Sequence, residues 1–147
     1  MIMKIYVING PNLNMLGIRE PSKYGNRGYD ELCALIKAHC EEQSAEAVFY
    51  QSNHEGDLVD KIQEAYFAGA DGIVINPGAY THTSIALLDA LLAVKIRSVE
   101  VHVSDVSKRE DFRQISYVRE AAIKTISGHG FDSYTMAIDC LINYLNG

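Results

Sequence analysis

Residues 7–25 of the chain read V-I-N-G-P-N-L-N-M-L-G-I-R-E-P-S-K-Y-G. An apolar strand, predicted over residues 3–8, runs here into a loop that is rich in asparagine and turn-forming residues. The connection between a strand and the next helix usually takes about 2–6 residues, so this loop is long. Long loops at such a place are commonly lids or binding loops. The stretch therefore predicts a strand–loop–helix unit whose loop contributes to a binding site.

The same loop carries a cation, Arg19, five residues before a phenol, Tyr24. A neighbouring positive charge favours the ionised form of an acid, so Arg19 would lower the pKa of Tyr24 from about 10 towards neutrality. Tyr24 could then act as a base. From these residues alone, the alternative is a solvated arginine and a tyrosine that packs beside Gly25.

Composition limits the class of protein. The chain has 147 residues, enough for one domain with a full core, and its formal net charge of −6 argues against non-specific nucleic-acid binding. The N-terminus shows no basic start followed by a longer apolar region, and the apolar stretch 85–94 is too short to span a bilayer. We expect a cytoplasmic protein that binds neither nucleic acid nor membranes, with inert, buried thiols at Cys33, Cys40 and Cys140.

Strand and helix signals alternate along the whole chain. The predicted strands are residues 5–8, 47–50, 72–75, 99–103 and 124–126, and the predicted helices are residues 29–44, 57–68, 84–94 and 133–145. Short apolar strands that alternate with helices indicate a parallel sheet covered on both faces. We predict an α/β protein with a flavodoxin-like, doubly wound, five-stranded parallel sheet, forming a single domain over residues 1–147.

The predicted helix 84–94 is apolar nearly all round, and only Asp89 interrupts it. A surface helix of a small α/β domain normally has a polar face. The pattern therefore favours a subunit interface, where further apolar surface is buried. The alternative is a helix covered by its own sheet and the C-terminal helix. Asp89 is then either a paired buried charge or a group that reaches a neighbouring site.

Polar side chains follow the predicted strands at their carboxyl ends, where open parallel sheets bind ligands. They are Asn9, the segment 51–56 (Q-S-N-H-E-G), Asn76, Tyr80, His82, Glu100, His102 and Ser104. Neutral donors and acceptors of this kind suit a small, hydroxyl-rich ligand. We leave His54 out of the site, because it precedes a helix and its role can be that of a cap.

Glu100 and His102 are two apart on a predicted strand and so project to the same face. The carboxylate can accept from one ring nitrogen and fix the tautomer, and its charge favours the protonated imidazole, a proton donor. The alternative is an alternating strand whose polar members face solvent or complete a buried network.

Several binding motifs are missing. The first strand is followed by neither G-x-G-x-x-G nor G-x-x-x-x-G-K-[ST], and no His, Asp or Glu pair has convincing metal spacing. Asn9 stands where a phosphorylation receiver would need an acidic residue, and Pro11 lacks the backbone donor that a phosphate-binding loop would use. We therefore expect chemistry from side chains alone, with no cofactor and no metal.

Four motifs together resemble those of one family, the type II dehydroquinases (3-dehydroquinate dehydratases). They are I-N-G-P-N-L-N-M-L-G-I-R-E-P-S-K-Y-G, Y-Q-S-N-H-E-G, I-N-P-G-A-Y-T-H-T-S and V-E-V-H-V-S-D-V-S-K-R-E-D-F-R, in this order. The resemblance extends from the first strand into the C-terminal helix. It implies a flavodoxin-like fold, a homododecamer built from trimers, no cofactor, and loss of water from 3-dehydroquinate to give 3-dehydroshikimate.

The resemblance also implies roles for individual residues. Tyr24 would be the base, Arg19 the cation that keeps it ionised, Asn12 the holder of a water or of the enolate oxygen, and His102, oriented by Glu100, the general acid. Asn76, Ser104 and the backbone of Val103 would bind the substrate carboxylate, His82 and Arg113 the ring hydroxyls, and Asp89 would approach a neighbouring subunit's site. Arg109 lies in a segment that would close over the site with the lid of Arg19 and Tyr24.

The chain departs from the family pattern at Asp105, Leu88 and Gln114–Ile115. These departures affect the expected structure of the trimer contact and the way in which the edge of the site holds substrate. The competing interpretation is a non-catalytic flavodoxin-like module that binds a small molecule or a protein. The complete set of Tyr24, Arg19, Asn12 and His102 argues against it, because a binding module needs neither a base nor an acid. A purely structural oligomer would leave the polar clustering at the strand ends unexplained.

Overall fold

The computed structural model describes residues 2–18 and 27–147, in which five strands alternate with four α-helices except between the last two strands, where three short 3₁₀-helices lie. The strands are β1 (Met3–Asn9), β2 (Ala45–Gln51), β3 (Gly72–Asn76), β4 (Arg97–Val101) and β5 (Lys124–Ile126). The helices are α1 (Tyr29–Glu42), α2 (Glu55–Phe67), α3 (Ile85–Val94) and α4 (Asp132–Asn146). All neighbouring strands are parallel, in the order β2-β1-β3-β4-β5. This is the flavodoxin-like order, and the predicted fold class is confirmed.

Two apolar layers cover the sheet, one on each face. Alternate side chains of β1 divide between them: Ile5 and Val7 pack with α1 and α4, whereas Tyr6 and Ile8 pack with α2 and α3. Because both faces of β1 and β3 are buried, residues 5–8 and 73–75 form continuous apolar runs without the alternation of a half-exposed strand.

Element boundaries differ from the predicted ones by at most two residues, and β5 has the predicted bounds. The clearest difference is at β4, which ends at Val101 although the prediction extended it to residue 103. The ladder with β5 ends at the Val101–Ile126 pair, and only the His102 N–H continues it, donating to the Ile126 carbonyl at 2.9 Å. The chain then turns into the loop of the cavity. Such differences are ordinary at the ends of elements.

Helix α3 is half covered within the single chain. Ser84 caps it by accepting a hydrogen bond from the Leu87 N–H at 3.0 Å, and Leu87 and Leu91 are buried against the sheet. On the opposite side, Ile85 is 54% exposed and Leu92 is 51% exposed. The helix therefore packs on its own sheet along one face and carries a second apolar face that residues 2–18 and 27–147 leave open.

The three cysteines are free thiols, and only Cys40 is buried, whereas Cys33 and Cys140 are half-buried. Burial, together with the charges of Asp139 and Glu41, raises the pKa of Cys40 to about 11, so this thiol stays protonated and inert. The expectation of three buried thiols is therefore wrong for two of them, which lie on helix faces that reach the surface. Among residues 2–18 and 27–147, no helix is both long enough and apolar enough to cross a membrane.

Candidate active site

A cavity of about 190 Å³ opens at the carboxyl ends of β1, β3 and β4. Its polar lining consists of Asn12, Asn76, His82, His102, Ser104, Arg109 and Arg113, and its other lining residues are Pro11, Leu13, Leu16, Gly78, Ala79, Val103 and Val106. The strand register explains why polar residues meet here. Asn9 of β1 lies opposite Gln51 of β2 and Asn76 of β3, so three strands end in amide side chains at one level.

The loop after β1 is held tightly between its neighbours. A Cβ on Gly10 would lie 2.3 Å from the Pro77 carbonyl oxygen, so only glycine allows this approach of two backbones. Asn12 has a left-handed backbone, with φ 70°, and its N–H donates to Asn53 Oδ1 at 3.0 Å. These contacts place the exposed Asn12 side chain at the rim of the cavity.

His102 and Glu100 form a buried pair at the cavity wall. His102 Nε2 lies 2.5 Å from Glu100 Oε2, and both side chains are almost fully buried. Because the carboxylate can only accept, Nε2 carries the hydrogen, which leaves Nδ1 as the ring nitrogen that is available to the cavity. Glu100 lies in β4 and His102 directly after it, and the two side chains meet on one face, so the histidine can present Nδ1 as a proton donor or acceptor.

The other oxygen of Glu100 has its own donors. Oε1 accepts from the Ser116 hydroxyl at 2.8 Å and from the Thr125 hydroxyl at 3.2 Å, and the Arg119 Nε lies 3.7 Å away. Burial by itself would raise the pKa of Glu100, but the hydrogen bond and charge of His102, with the Ser116 and Arg119 contacts, outweigh it and lower that pKa. Glu100 is therefore an anion that is fixed in one orientation behind His102.

His82 is held as a neutral acceptor. Its Nδ1–H donates to the Ile115 carbonyl at 2.8 Å, so Nε2 carries the free lone pair. Burial is the main cause that lowers the pKa of His82, and the nearby charge of Arg113 adds to it against the opposing effect of the Ile115 hydrogen bond. His82 can thus accept a hydrogen bond from a hydroxyl at the cavity.

Asn76 is buried at the floor of the cavity, and hydrogen bonds fix its side chain. Its Oδ1 accepts from the Gly78 N–H at 3.1 Å, and its Nδ2 donates to the Tyr134 hydroxyl at 2.9 Å. Val103 and Ser104 follow on the loop after β4, which the Gly130 N–H fastens by donating to the Val103 carbonyl at 3.0 Å. Amide, hydroxyl and backbone groups therefore face the same space.

The segment after β4 brings two arginines to the cavity, Arg109 and Arg113. The Gln114 side chain donates to the carbonyls of Val106, Arg109 and Glu110 at 3.0–3.2 Å, which ties this segment into a compact turn. Asp105 caps its first turn by accepting from the Ser107 N–H at 3.1 Å. Two of the departures from the family pattern, Asp105 and Gln114, therefore hold the cavity edge in place.

Not every predicted site residue lies at this cavity. Asp89 is exposed on α3 and is absent from the cavity lining, so its approach to a neighbouring subunit stays a prediction. Arg19 and Tyr24 lie outside the described residues. Glu100 lies behind His102 and does not line the cavity.

Sequence reasoning missed the groups that hold the site residues in place. Ser116, Arg119 and Thr125 surround Glu100 but come from later segments of the chain, and nothing in their local sequence indicates this contact. Asn53 could have been found, because it belongs to the polar segment that follows β2. Within the described part of the chain, no group of three His, Cys, Asp or Glu side chains could hold a metal ion.

Comparison with known proteins identifies the family. The model of the family Dehydroquinase class II matches residues 3–142. The 3-dehydroquinate dehydratase of Carboxydothermus hydrogenoformans is 54% identical, over 97% of this chain and 92% of that protein. The 3-dehydroquinate dehydratase of Fusobacterium nucleatum is 52% identical, over 98% of this chain and 99% of that protein.

A solved structure agrees with these matches. The crystal structure of a type II dehydroquinase from Butyrivibrio crossotus has a TM-score of 0.94 and 56% sequence identity, and the match covers 96% of this chain and 98% of that one. The fold, the order of the four motifs and the sequence identity over nearly the whole chain all indicate the same family. The chain belongs to the class II dehydroquinase family.

Proposed function

We propose that this protein is a 3-dehydroquinate dehydratase, a hydro-lyase of the shikimate pathway that eliminates water from 3-dehydroquinate to give 3-dehydroshikimate without a cofactor. Family membership supports the reaction class. The observation that carries the mechanism is the buried His102–Glu100 pair, which faces a cavity whose polar lining combines asparagine, serine and histidine residues with Arg109 and Arg113. A proton donor that is oriented in this way is what removal of a hydroxyl as water requires.

The first step is removal of a proton from the carbon next to the ketone. Tyr24, kept ionised by Arg19, is the base, and the electron pair of the broken C–H bond moves to the ketone oxygen as an enolate. Such a C–H is a weak acid, so the enolate oxygen needs prearranged donors. Asn12 at the cavity rim supplies one, directly or through a water.

The second step expels the hydroxyl. The enolate re-forms the carbonyl, the electron pair moves into the new C=C bond, and the C–O bond breaks. His102 gives the leaving oxygen a proton from Nδ1, so the product is water, and Glu100 stabilises the histidine cation before this transfer. Tyr24 and His102 regain their starting protonation states by exchange with solvent.

The remaining cavity residues bind substrate. Asn76, Ser104 and the backbone of Val103 take the carboxylate, and His82 and Arg113 take ring hydroxyls. His82 acts as an acceptor, consistent with its lowered pKa and its Nδ1–H bond to Ile115. Arg109 closes over the cavity together with the lid of Arg19 and Tyr24.

We further propose that the chain assembles as a homododecamer built from trimers in the cytoplasm. The open apolar face of α3, with Ile85 and Leu92, supports a contact between copies, and its exposed Asp89 would then reach the site of a neighbouring subunit. The three free thiols suit a reducing compartment.

The experiment is ultraviolet absorbance after mixing the purified protein with 3-dehydroquinate in the presence of a metal chelator. Product formation is visible directly, because the product is a conjugated enone acid and the substrate is not. Tyr24→Phe should lower kcat by a factor of about 10² or more, whereas Tyr144→Phe, a half-exposed tyrosine of α4 outside the cavity, should leave it unchanged.

Two results would contradict the proposal. A folded Tyr24→Phe protein that keeps more than about a tenth of wild-type kcat would remove Tyr24 as the base. A folded wild-type protein that binds 3-dehydroquinate and returns it unchanged would make the chain a binding module.

A further inference from the structure

Tyr134 in α4 is fully buried, yet no step of the proposed reaction uses its hydroxyl. Its oxygen lies 2.9 Å from Asn76 Nδ2 and 2.6 Å from Asn9 Oδ1. Asn9 Nδ2 in turn lies 3.3 Å from the Tyr29 hydroxyl. Tyr29, Asn9, Tyr134 and Asn76 thus form a polar chain, the Asn–Tyr chain, from the start of α1 across the ends of β1 and β3.

The direction of every hydrogen bond in the Asn–Tyr chain follows from one backbone group. The Gly78 N–H can only donate, so the atom of Asn76 that faces it must be Oδ1. Nδ2 then faces Tyr134, whose oxygen accepts and whose hydrogen goes to Asn9 Oδ1. Burial raises the pKa of Tyr134, so its hydroxyl keeps the hydrogen that this direction requires.

Asn76 consequently has one N–H that no described residue accepts. Its Nδ2 carries two hydrogens, of which Tyr134 accepts one, and Asn76 lines the cavity. Both sides of the amide are fixed, by Gly78 at the oxygen and by Tyr134 at the nitrogen. The second Nδ2 hydrogen is therefore presented in one orientation, without the rotational freedom of an exposed asparagine.

We propose that Tyr134 is a positioning residue for substrate binding, because it holds the Asn76 amide with one N–H directed at the substrate carboxylate. The inference rests on the proposed function, in which Asn76 takes that carboxylate. The carboxylate does not change during the elimination, so its contacts contribute equally to the ground state and the transition state. Loss of such a contact raises KM and leaves kcat nearly unchanged.

The test is the kinetics of Tyr134→Phe with 3-dehydroquinate, beside a matched control. Tyr6→Phe also removes the hydroxyl of a buried tyrosine, one that donates to the exposed Glu64 at 3.1 Å on the other face of the sheet. We expect Tyr134→Phe to raise KM about fivefold to tenfold with kcat within about twofold of wild type, and Tyr6→Phe to change neither. Partial unfolding would lower kcat, not raise KM, so a general loss of structure gives a different result.

Two outcomes overturn the proposal: an unchanged KM in Tyr134→Phe, or an equal rise in Tyr6→Phe. If Tyr134→Phe does not fold, Asn9→Leu decides, because it removes the acceptor of the Tyr134 hydrogen and should raise KM in the same way.

A measurement on the wild type separates this inference from the proposed reaction. Hydrogen exchange of the Asn76 side-chain amide, followed by NMR, should be much slower than that of the exposed Asn12 amide, whether or not the protein turns over. Equal exchange rates would show that the Asn–Tyr chain does not hold Asn76. Slow exchange without turnover of 3-dehydroquinate would support the Asn–Tyr chain and contradict the proposed dehydration.

Discussion

At the scale of single residues, the environment of Glu100 determines what His102 can do. One carboxylate oxygen is committed to the histidine and the other to Ser116 and Thr125, so the pair has a single arrangement. A buried carboxylate without such donors would be protonated more readily and would bind the imidazolium less strongly. The hydroxyl groups around Oε1 therefore support His102 as the acid by keeping Glu100 ionised, although they do not line the cavity.

Glu100→Gln tests this arrangement. We expect kcat to fall about 10²-fold with KM nearly unchanged, because a neutral amide cannot stabilise the protonated His102 that donates the proton. Steady-state kinetics with 3-dehydroquinate measure both constants. Ser107→Ala, which removes an exposed hydroxyl bonded to Asp105, is the control and should keep wild-type values. A kcat within a factor of three of wild type would show that Glu100 does not support the acid.

At the scale of elements, loops that are locked together at one sheet edge set the geometry of the site. The loop after β1 touches the loop after β3 through Gly10 and Pro77, and Asn53 from the loop after β2 holds Asn12. The Tyr80 hydroxyl also donates to the Asn53 carbonyl at 3.1 Å, which joins the loops after β2 and β3. Rigid connections of this kind reduce the freedom that substrate binding would otherwise have to remove.

Gly10→Ala tests the contact between the loops. The new Cβ would meet the backbone of Pro77, which cannot rotate away, so we expect a loss of about 1–3 kcal/mol in the free energy of unfolding and a lower kcat. Gly56→Ala in α2 is the matched control: its Cβ would have no neighbour within 4 Å. Since alanine favours helix more than glycine, we expect that variant to gain about 0.5–1 kcal/mol. Urea unfolding measures the free energy of unfolding of each variant, and steady-state kinetics measure kcat. Equal stability of the two variants would contradict the steric argument.

At the scale of the whole molecule, the single chain leaves one side of α3 uncovered. Leu92 and Ile85 are each about half exposed, and burying a leucine side chain fully contributes about 1.5–3 kcal/mol. An interface between copies would bury this face and would place Asp89 close to another subunit.

Leu92→Asp should therefore reduce the proposed oligomer to smaller species, because it replaces apolar contact area with a charge that an interface would desolvate. Leu92→Met keeps an apolar side chain of similar volume and should keep the assembly. Light scattering after size-exclusion chromatography gives the mass of each. A Leu92→Asp protein with wild-type mass would place the contact elsewhere.

The folded chain should also lose stability in weak acid. The pKa of His82 is lowered in the folded state, mainly by burial, so the unfolded chain binds a proton first as the pH falls below about 6.5. The stabilising contribution of neutral His82 is present above that pH and is lost as the pH falls through the folded-state pKa. Thermal midpoints across this range should fall less steeply for His82→Gln than for the wild type. His54→Gln replaces an exposed histidine without a side-chain cap bond and controls for the loss of a histidine. If the thermal midpoints of His82→Gln and wild type fall equally steeply with pH, His82 does not cause the loss of stability.

Local sequence patterns were sufficient to predict the sheet, the order of its elements and the polar strand ends. The spacing of apolar residues in helices and the apolar runs of buried strands can be read from neighbouring residues alone. Strands that are all parallel then bring their carboxyl ends to the same edge of the sheet. The Glu100–His102 pair was predictable for the same reason, since side chains two apart on a strand share a face.

Which distant residues complete the site depends on the packing of the folded chain. Tyr134 lies 58 residues from Asn76 and 125 residues from Asn9, and Ser116 and Thr125 reach Glu100 from different segments. Local patterns carry no information about such contacts, because they depend on how α4 and the loops after β4 pack against the sheet. The same holds for the boundary of β4, which ends where β5 stops pairing with it. The sequence therefore indicates which groups are available, and the packing determines their orientation and their protonation.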